Sequence, residues 1–186
     1  TQRYTAEAIR FIEENQNNPF FLYLPHSFPH VPLFVSEEFE GSSEAGLYGD
    51  VVETIDWSMG KIFDALEDMG LEDNTMVVFT SDNGPWFEGS SGQYRDRKGS
   101  SWEGGLRVPF IARWPSVIEP GQRSSAAAMN IDLLPTILDF AEIPQPKDRA
   151  IDGKSLKGIL TLHENTPHEV LYLFNNDRIA GVRKGK

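Results

Sequence analysis

A carboxylate followed by an amide, Asp82-Asn83, stands directly behind the short apolar run Thr75-Met76-Val77-Val78-Phe79-Thr80. Both side chains offer hard oxygens, the donors that a hard divalent cation takes. The run is rich in β-branched and aromatic residues and reads as a buried strand. Open α/β sheets place their sites at the ends of such strands. Asp82-Asn83-Gly84 also suits a turn, because all three residue types tolerate unusual backbone angles. Two other stretches share its kind of placement, Pro29-His30-Val31-Pro32 and Lys98-Gly99-Ser100-Ser101-Trp102-Glu103-Gly104-Gly105. They add an imidazole, His30, and an ammonium, Lys98. Positive donors of this kind suit the non-bridging and leaving oxygens of an anionic ester. Taken singly, His30 is a loop histidine, Lys98 a solvated lysine and Glu103-Gly104-Gly105 a turn with Glu103 on backbone amides. Taken together, their order, spacing and strand-end placement agree. His26, His163 and His168 are read as non-catalytic, and Arg95 and Arg97 as solvated.

The elements that must position these groups alternate between helical and extended patterns. Tyr4, Ala8, Phe11 and Ile12 share a helical face, and the polar stretch Asn15 to Pro19 ends it. Phe20-Phe21-Leu22-Tyr23-Leu24 has the continuous apolar character of a central strand. The prolines of Pro25 to Pro32 then enforce an extended, stiff loop. Ser43 is the expected N-cap of the next helix, with Glu44 in its first turn. Leu47, Val51, Ile55, Ile62, Leu66 and Met69 form its apolar stripe, and Gly70 its stop. A long Gly/Ser-rich loop from Gly84 to Gly105 follows the strand before Asp82, and loops of that length are usually functional or disordered. Val108 to Ala112 reads as another strand, with Pro109 tolerated near its start. Asp132 to Glu142 reads as a helix with Pro135 in its first turn. Gly153 to Leu160 reads as a short helix, and Val170 to Phe174 with Ile179 to Val182 as a terminal hairpin. Strands separated by helices predict an α/β fold, a mostly parallel sheet flanked by helices.

The chain has 186 residues, 39% of them hydrophobic, enough for one ordinary core. Its formal charge of −11 argues against nucleic acid as a partner. It leaves an anionic substrate open, because local positive groups can dominate a cleft. The absence of cysteine excludes a disulfide, a thiolate metal site or a cysteine nucleophile in this chain. No apolar run approaches the roughly 18 residues of a membrane span, and Thr1-Gln2-Arg3-Tyr4 carries no apolar leader core. Without an initiator Met, and with a close on Arg183-Lys184-Gly185-Lys186, the sequence is expected to be a piece of a longer polypeptide.

These stretches, in this order, resemble the sulfatase family of the alkaline-phosphatase-like superfamily. The resemblance runs from about Pro19 to the C-terminus. It is carried by Pro19-Phe20-Phe21-Leu22-Tyr23 with Pro29-His30-Val31-Pro32, by Tyr48-Gly49-Asp50-Val51-Val52-Glu53-Thr54-Ile55-Asp56, and by Thr80-Ser81-Asp82-Asn83-Gly84. Lys98-Gly99, Glu103-Gly104-Gly105, Arg107-Val108-Pro109, Ile131-Asp132-Leu133-Leu134-Pro135-Thr136 and Asp152-Gly153 complete it. The resemblance implies that Asp82 and Asn83 supply half of a calcium site. It implies that Lys98 and His30 bind the sulfate of a sulfate ester and stabilise or protonate the departing oxygen. It also implies an alkaline-phosphatase-like sheet and an extracellular or periplasmic location.

The departures from the family pattern are as definite. Sulfatases use a formylglycine made from the Cys of Cys-x-Pro-Ser-Arg, or from Ser in some bacterial members, and this chain has neither that Cys nor a Ser-x-Pro-x-Arg. The Asp-Asp pair that completes the calcium site is also missing, as are the lysine and second histidine that follow the nucleophile. Residues 1–160 are therefore expected to be the C-terminal part of a sulfatase catalytic domain, and residues 161–186 the start of its small C-terminal subdomain. The isolated chain is expected to have no turnover and to hold calcium weakly. A phosphatase or phosphodiesterase of the same superfamily is a rival reading, but its second metal needs more His and Asp ligands. A non-catalytic fragment that folds or self-associates through open sheet edges is another.

Overall fold

Residues 1–185 are described in a computed structural model of the chain, which divides into two units, Thr1–Thr75 and the segment from Met76 onward. In the first unit, helix α1 (Gln2–Asn15) buries Thr5, Ala8 and Ile12. This spacing puts the three on one face. Ile12 is 1% exposed, a burial that stabilises by roughly 1.5–3 kcal/mol. Tyr4, expected on the same face, is exposed. Phe11 instead packs edge-on against Phe20, with ring centroids 6.0 Å apart. The partner of α1 is α2 (Gly46–Asp68), whose buried stripe includes Val51, Ile55, Ile62 and Leu66. The Thr5 and Ser58 hydroxyls hydrogen-bond across the buried contact at 2.7 Å. Each satisfies a polar group that burial would otherwise leave costly.

The start of α2 departs from expectation. Ser43 is not its N-cap; the helix begins at Gly46 behind Ala45, with no side-chain cap. Asp50, one turn in, reaches back and accepts the Gly41 N–H at 3.0 Å and the Ser43 N–H at 2.8 Å. This requires the preceding loop to lie against the helix, and Gly49 makes room for it: a Cβ there would fall 2.2 Å from Ser43 Oγ. At the other end Gly70 adopts φ +66°, and the Leu71 N–H donates to Leu66 O at 2.8 Å. Only glycine takes that left-handed turn at no steric cost.

Phe20 to Leu24, read as a central strand, belongs to no sheet among the described residues. Its side chains alternate, with Phe21 at 66% and Tyr23 at 75% exposure. The segment is extended, yet a ladder needs a second strand, and among the described residues none lies beside it.

The second unit holds two ladders, both antiparallel. β1 (Val77–Thr80) pairs with β2 (Phe110–Arg113) in the register Val77↔Arg113 to Thr80↔Phe110. Between them stand a long loop and the four-residue helix α3 (Glu103–Leu106). A parallel pair would need a packed crossover there, and no parallel pair occurs among the described residues. The mostly parallel sheet expected from the sequence is therefore not what these strands form. A 3₁₀ turn, Asn130–Asp132, feeds α4 (Leu133–Phe140), followed by α5 (Lys157–Leu162). The hairpin β3 (Leu171–Asn175) and β4 (Arg178–Arg183) matches the sequence expectation, with an irregularity between Leu173 and Phe174. Ile118, Leu156 and Leu160 make the core, packed on by Ala112, Trp114, Phe140 and Ile159. α5 starts later than expected because Gly153 is used for contact rather than helix: a Cβ there would sit 2.0 Å from Ile131 O. Among the described residues no helix is long and apolar enough to cross a membrane.

Candidate functional site

β1 delivers the chain to Ser81-Asp82-Asn83, and three bonds fix that delivery. Thr80 Oγ1 donates to Pro109 O at 2.9 Å, and Asn130 Nδ2 donates to Ser81 O at 2.9 Å. Ser81 Oγ closes the turn on Asn83 O at 3.3 Å. Asp82 is exposed and Asn83 half-buried. Their side chains touch, with Asn83 Nδ2 donating to Asp82 Oδ2.

Main-chain bonds then fold the long loop back on this turn. The Gly84 N–H donates to Gly105 O, the Lys98 N–H to Pro85 O and the Gly104 N–H to Arg95 O, each at 2.9 Å. Lys98 is thereby anchored two residues beyond Asn83. The approach is backbone on backbone, and glycine makes it possible. A Cβ on Gly84 would lie 2.1 Å from Gly104 O, one on Gly104 2.1 Å from Asp96 O, and one on Gly105 2.5 Å from Arg97 O. Glu103-Gly104-Gly105, read from the sequence as a turn, is the short helix α3 that clasps the loop shut. Among the described residues Glu103 bonds no backbone amide. It accepts from Arg107 Nε and, at 3.2 Å, from Arg183 Nη1. That carboxylate holds the Arg107 guanidinium above its ordinary pKa. Asp82, Asn83 and Lys98 thus share one clasped loop. Lys98 is half-buried.

Arg95 and Arg97 are not simply solvated. Arg97 Nη1 donates to Trp86 O at 2.9 Å and to Gly89 O at 2.6 Å. The Arg95 guanidinium stacks over Trp102, 4.0 Å from the ring centroid.

His30 belongs to the first unit. It is exposed, between cis Phe28–Pro29 and cis Val31–Pro32 bonds. Its Nδ1 lies 2.8 Å from Val31 O. A carbonyl only accepts, so Nδ1 carries the proton and Nε2 is the nitrogen left for chemistry. The neighbouring His26 has both ring nitrogens buried without a partner among the described residues. Burial lowers its pKa and keeps it neutral.

Calcium seeks hard oxygens, usually 6–8 of them. The adjoining carboxylate and amide of Asp82 and Asn83 fit part of such a set in donor type and closeness. Among the described residues no group of three or more His, Cys, Asp or Glu side chains is arranged to hold a metal.

One pair escapes sequence reasoning altogether. Asp132 is fully buried. His168 Nε2 lies 2.9 Å from both its carboxylate oxygens. The Met129 and Lys154 N–H groups each donate to it at 2.8 Å. Thr136, one turn on, donates to Asp132 O and accepts the Leu156 N–H at 2.9 Å. The role is structural: one carboxylate ties together three separated stretches of chain, its own turn, Lys154 and His168.

The sulfatase family profile matches residues 1–143. Human steryl-sulfatase is 41% identical over 98% of this chain and 33% of its own length. Human N-acetylgalactosamine-6-sulfatase is 43% identical over 100% of this chain and 37% of its own. A Bacteroides thetaiotaomicron structure described with the metabolism of multiple glycosaminoglycans superposes with a TM-score of 0.87 and 33% identity, covering 97% of this chain and 40% of that one. The chain belongs to the sulfatase family. It is an α/β chain whose structural neighbours are sulfatases of alkaline-phosphatase-like fold, and it spans about a third of the length of the curated relatives it matches.

Proposed function

We propose that the polypeptide carrying this chain hydrolyses sulfate monoesters, and that this chain supplies its leaving-group and part of its metal-binding machinery. The observation that carries the reading is the clasped loop, which anchors Lys98 beside the Asp82-Asn83 turn in a chain of the sulfatase family. Asp82 and Asn83 would hold calcium through their side-chain oxygens. The bound ion would supply positive charge to the sulfate oxygens. The Lys98 ammonium is a compact point charge with three donors. It neutralises a non-bridging sulfate oxygen and the charge growing on the departing oxygen. His30, with its Nδ1–H held by Val31 O and a second proton on Nε2, would donate the Nε2 proton to the leaving oxygen and let it depart as a neutral alcohol. Formylglycine cannot be made from this chain, which has no Cys and no Ser-x-Pro-x-Arg. No step is assigned to a nucleophile here. In the whole polypeptide the strands described above would join a larger, mostly parallel sheet.

The test compares a sulfate and a phosphate monoester of one phenol as substrates of that polypeptide. Sulfate turnover is expected to dominate, and Lys98→Ala to lower kcat by about 10²-fold or more, the scale of removing one preorganised charge donor. Preference for the phosphate, or a kcat indifferent to Lys98→Ala, would refute the reading.

A further inference from the structure

Resting on that reading, the geometry points to Trp86 and Phe87 as the wall against which the ring of the leaving alcohol docks. The two rings meet edge to face, with centroids 4.8 Å apart, and they stand 47% and 70% exposed. Such exposure on adjacent aromatics is costly unless something covers them. Their place is fixed with respect to the sulfate-binding lysine by two independent ties. The Lys98 N–H is bonded to Pro85 O, immediately before Trp86. The guanidinium of Arg97, immediately before Lys98, grips Trp86 O and Gly89 O. The aromatic pair and the lysine therefore move as one piece. Two of the exposed aromatics of this loop carry a guanidinium. Arg95 stacks 4.0 Å from the Trp102 ring centroid, a close contact that marks Trp102 as packing. Arg97 lies farther, 5.6 Å, from that of Phe87, which leaves Trp86 as the more open ring of the pair. A flat ring rich in C–H groups is what open aromatic faces accept, so the ligand class is the sulfate ester of a cyclic alcohol, aryl or pyranose, in preference to an acyclic one.

The experiment measures kcat and KM of the polypeptide carrying this chain, as Trp86→Ala and Phe87→Ala variants, on phenyl sulfate, a hexosamine 6-sulfate and ethyl sulfate. Inhibition by inorganic sulfate reports separately on the Lys98 end. The expected result is a loss of kcat/KM on a cyclic ester at least about tenfold greater than the loss on ethyl sulfate, a typical difference for apolar pocket contacts. It should appear mainly in KM, with partial recovery in Trp86→Phe. Whichever cyclic ester suffers more identifies the ring. An equal loss on all three esters would make the pair a packing element and overturn the assignment, and so would no loss on any. If the unaltered polypeptide hydrolyses no sulfate ester while still binding inorganic sulfate, the parent reading fails first and this one falls with it.

Discussion

His168 and Asp132 are 36 residues apart and meet where neither is exposed to water. A buried carboxylate without partners is far costlier than an exposed one, and here an imidazole and two backbone N–H groups share the task of satisfying it. Removing one partner leaves the rest of the penalty in place. His168→Ala is therefore expected to destabilise the fold by about 3–5 kcal/mol, the scale for breaking a buried pair. Urea unfolding of the two chains measures it, and a difference under about 1 kcal/mol would contradict this account. The pairing also explains why Asp132, Pro135, Thr136 and Gly153 are buried together. Nothing local to His168 announces it. The sequence around that residue is polar, as a linker would be, and the burial comes entirely from distant chain.

At the scale of elements, the opening turn of α2 carries the clearest pH dependence. The Asp50 carboxyl is held below its ordinary pKa, first by the Ser43 N–H, then by Gly41 and the Ser42 hydroxyl, against an opposing effect of burial. A depressed native pKa means the unfolded chain binds the proton more readily. The stabilisation is thus complete above the ordinary carboxylate range and is lost as pH falls below about 4. Asp50→Asn should flatten the fall in thermal midpoint between pH 6 and pH 3. A slope equal to that of the parent would place the acid sensitivity elsewhere. Helices and the terminal hairpin were legible in the sequence because apolar period and stop residues are local signals: Val51, Ile55, Ile62 and Leu66 are buried as their spacing requires. The cap of α2 was misread because Ser43 has the right chemistry at a plausible place, while the residue that does the bonding lies inside the helix. Phe20 to Leu24 was misread because an apolar run reports a demand for burial, and pairing depends on what runs alongside.

At the scale of the whole molecule, Phe110, Ile111, Tyr172, Phe174, Ile179 and Val182 leave both two-stranded ladders with exposed apolar side chains. Two-stranded sheets are marginal by themselves, and open edges recruit further strands. The chain alone is expected to self-associate, with a light-scattering mass that rises with concentration above 20.9 kDa. A constant mass of one chain across the concentration range would count against it. The −11 charge opposes association, so the effect should strengthen with salt. Site residues were readable in kind, as oxygen donors and an ammonium. Their assembly was not, since the bonds that unite Gly84, Lys98 and Gly104 are made by peptide groups common to every residue. The same anonymity has an evolutionary side. A lysine moored through main chain, as Lys98 is, leaves the side chains at the loop's tip, from Trp86 to Gln93, free to vary, so that stretch could be exchanged like a cassette while the position proposed to bind sulfate keeps its address.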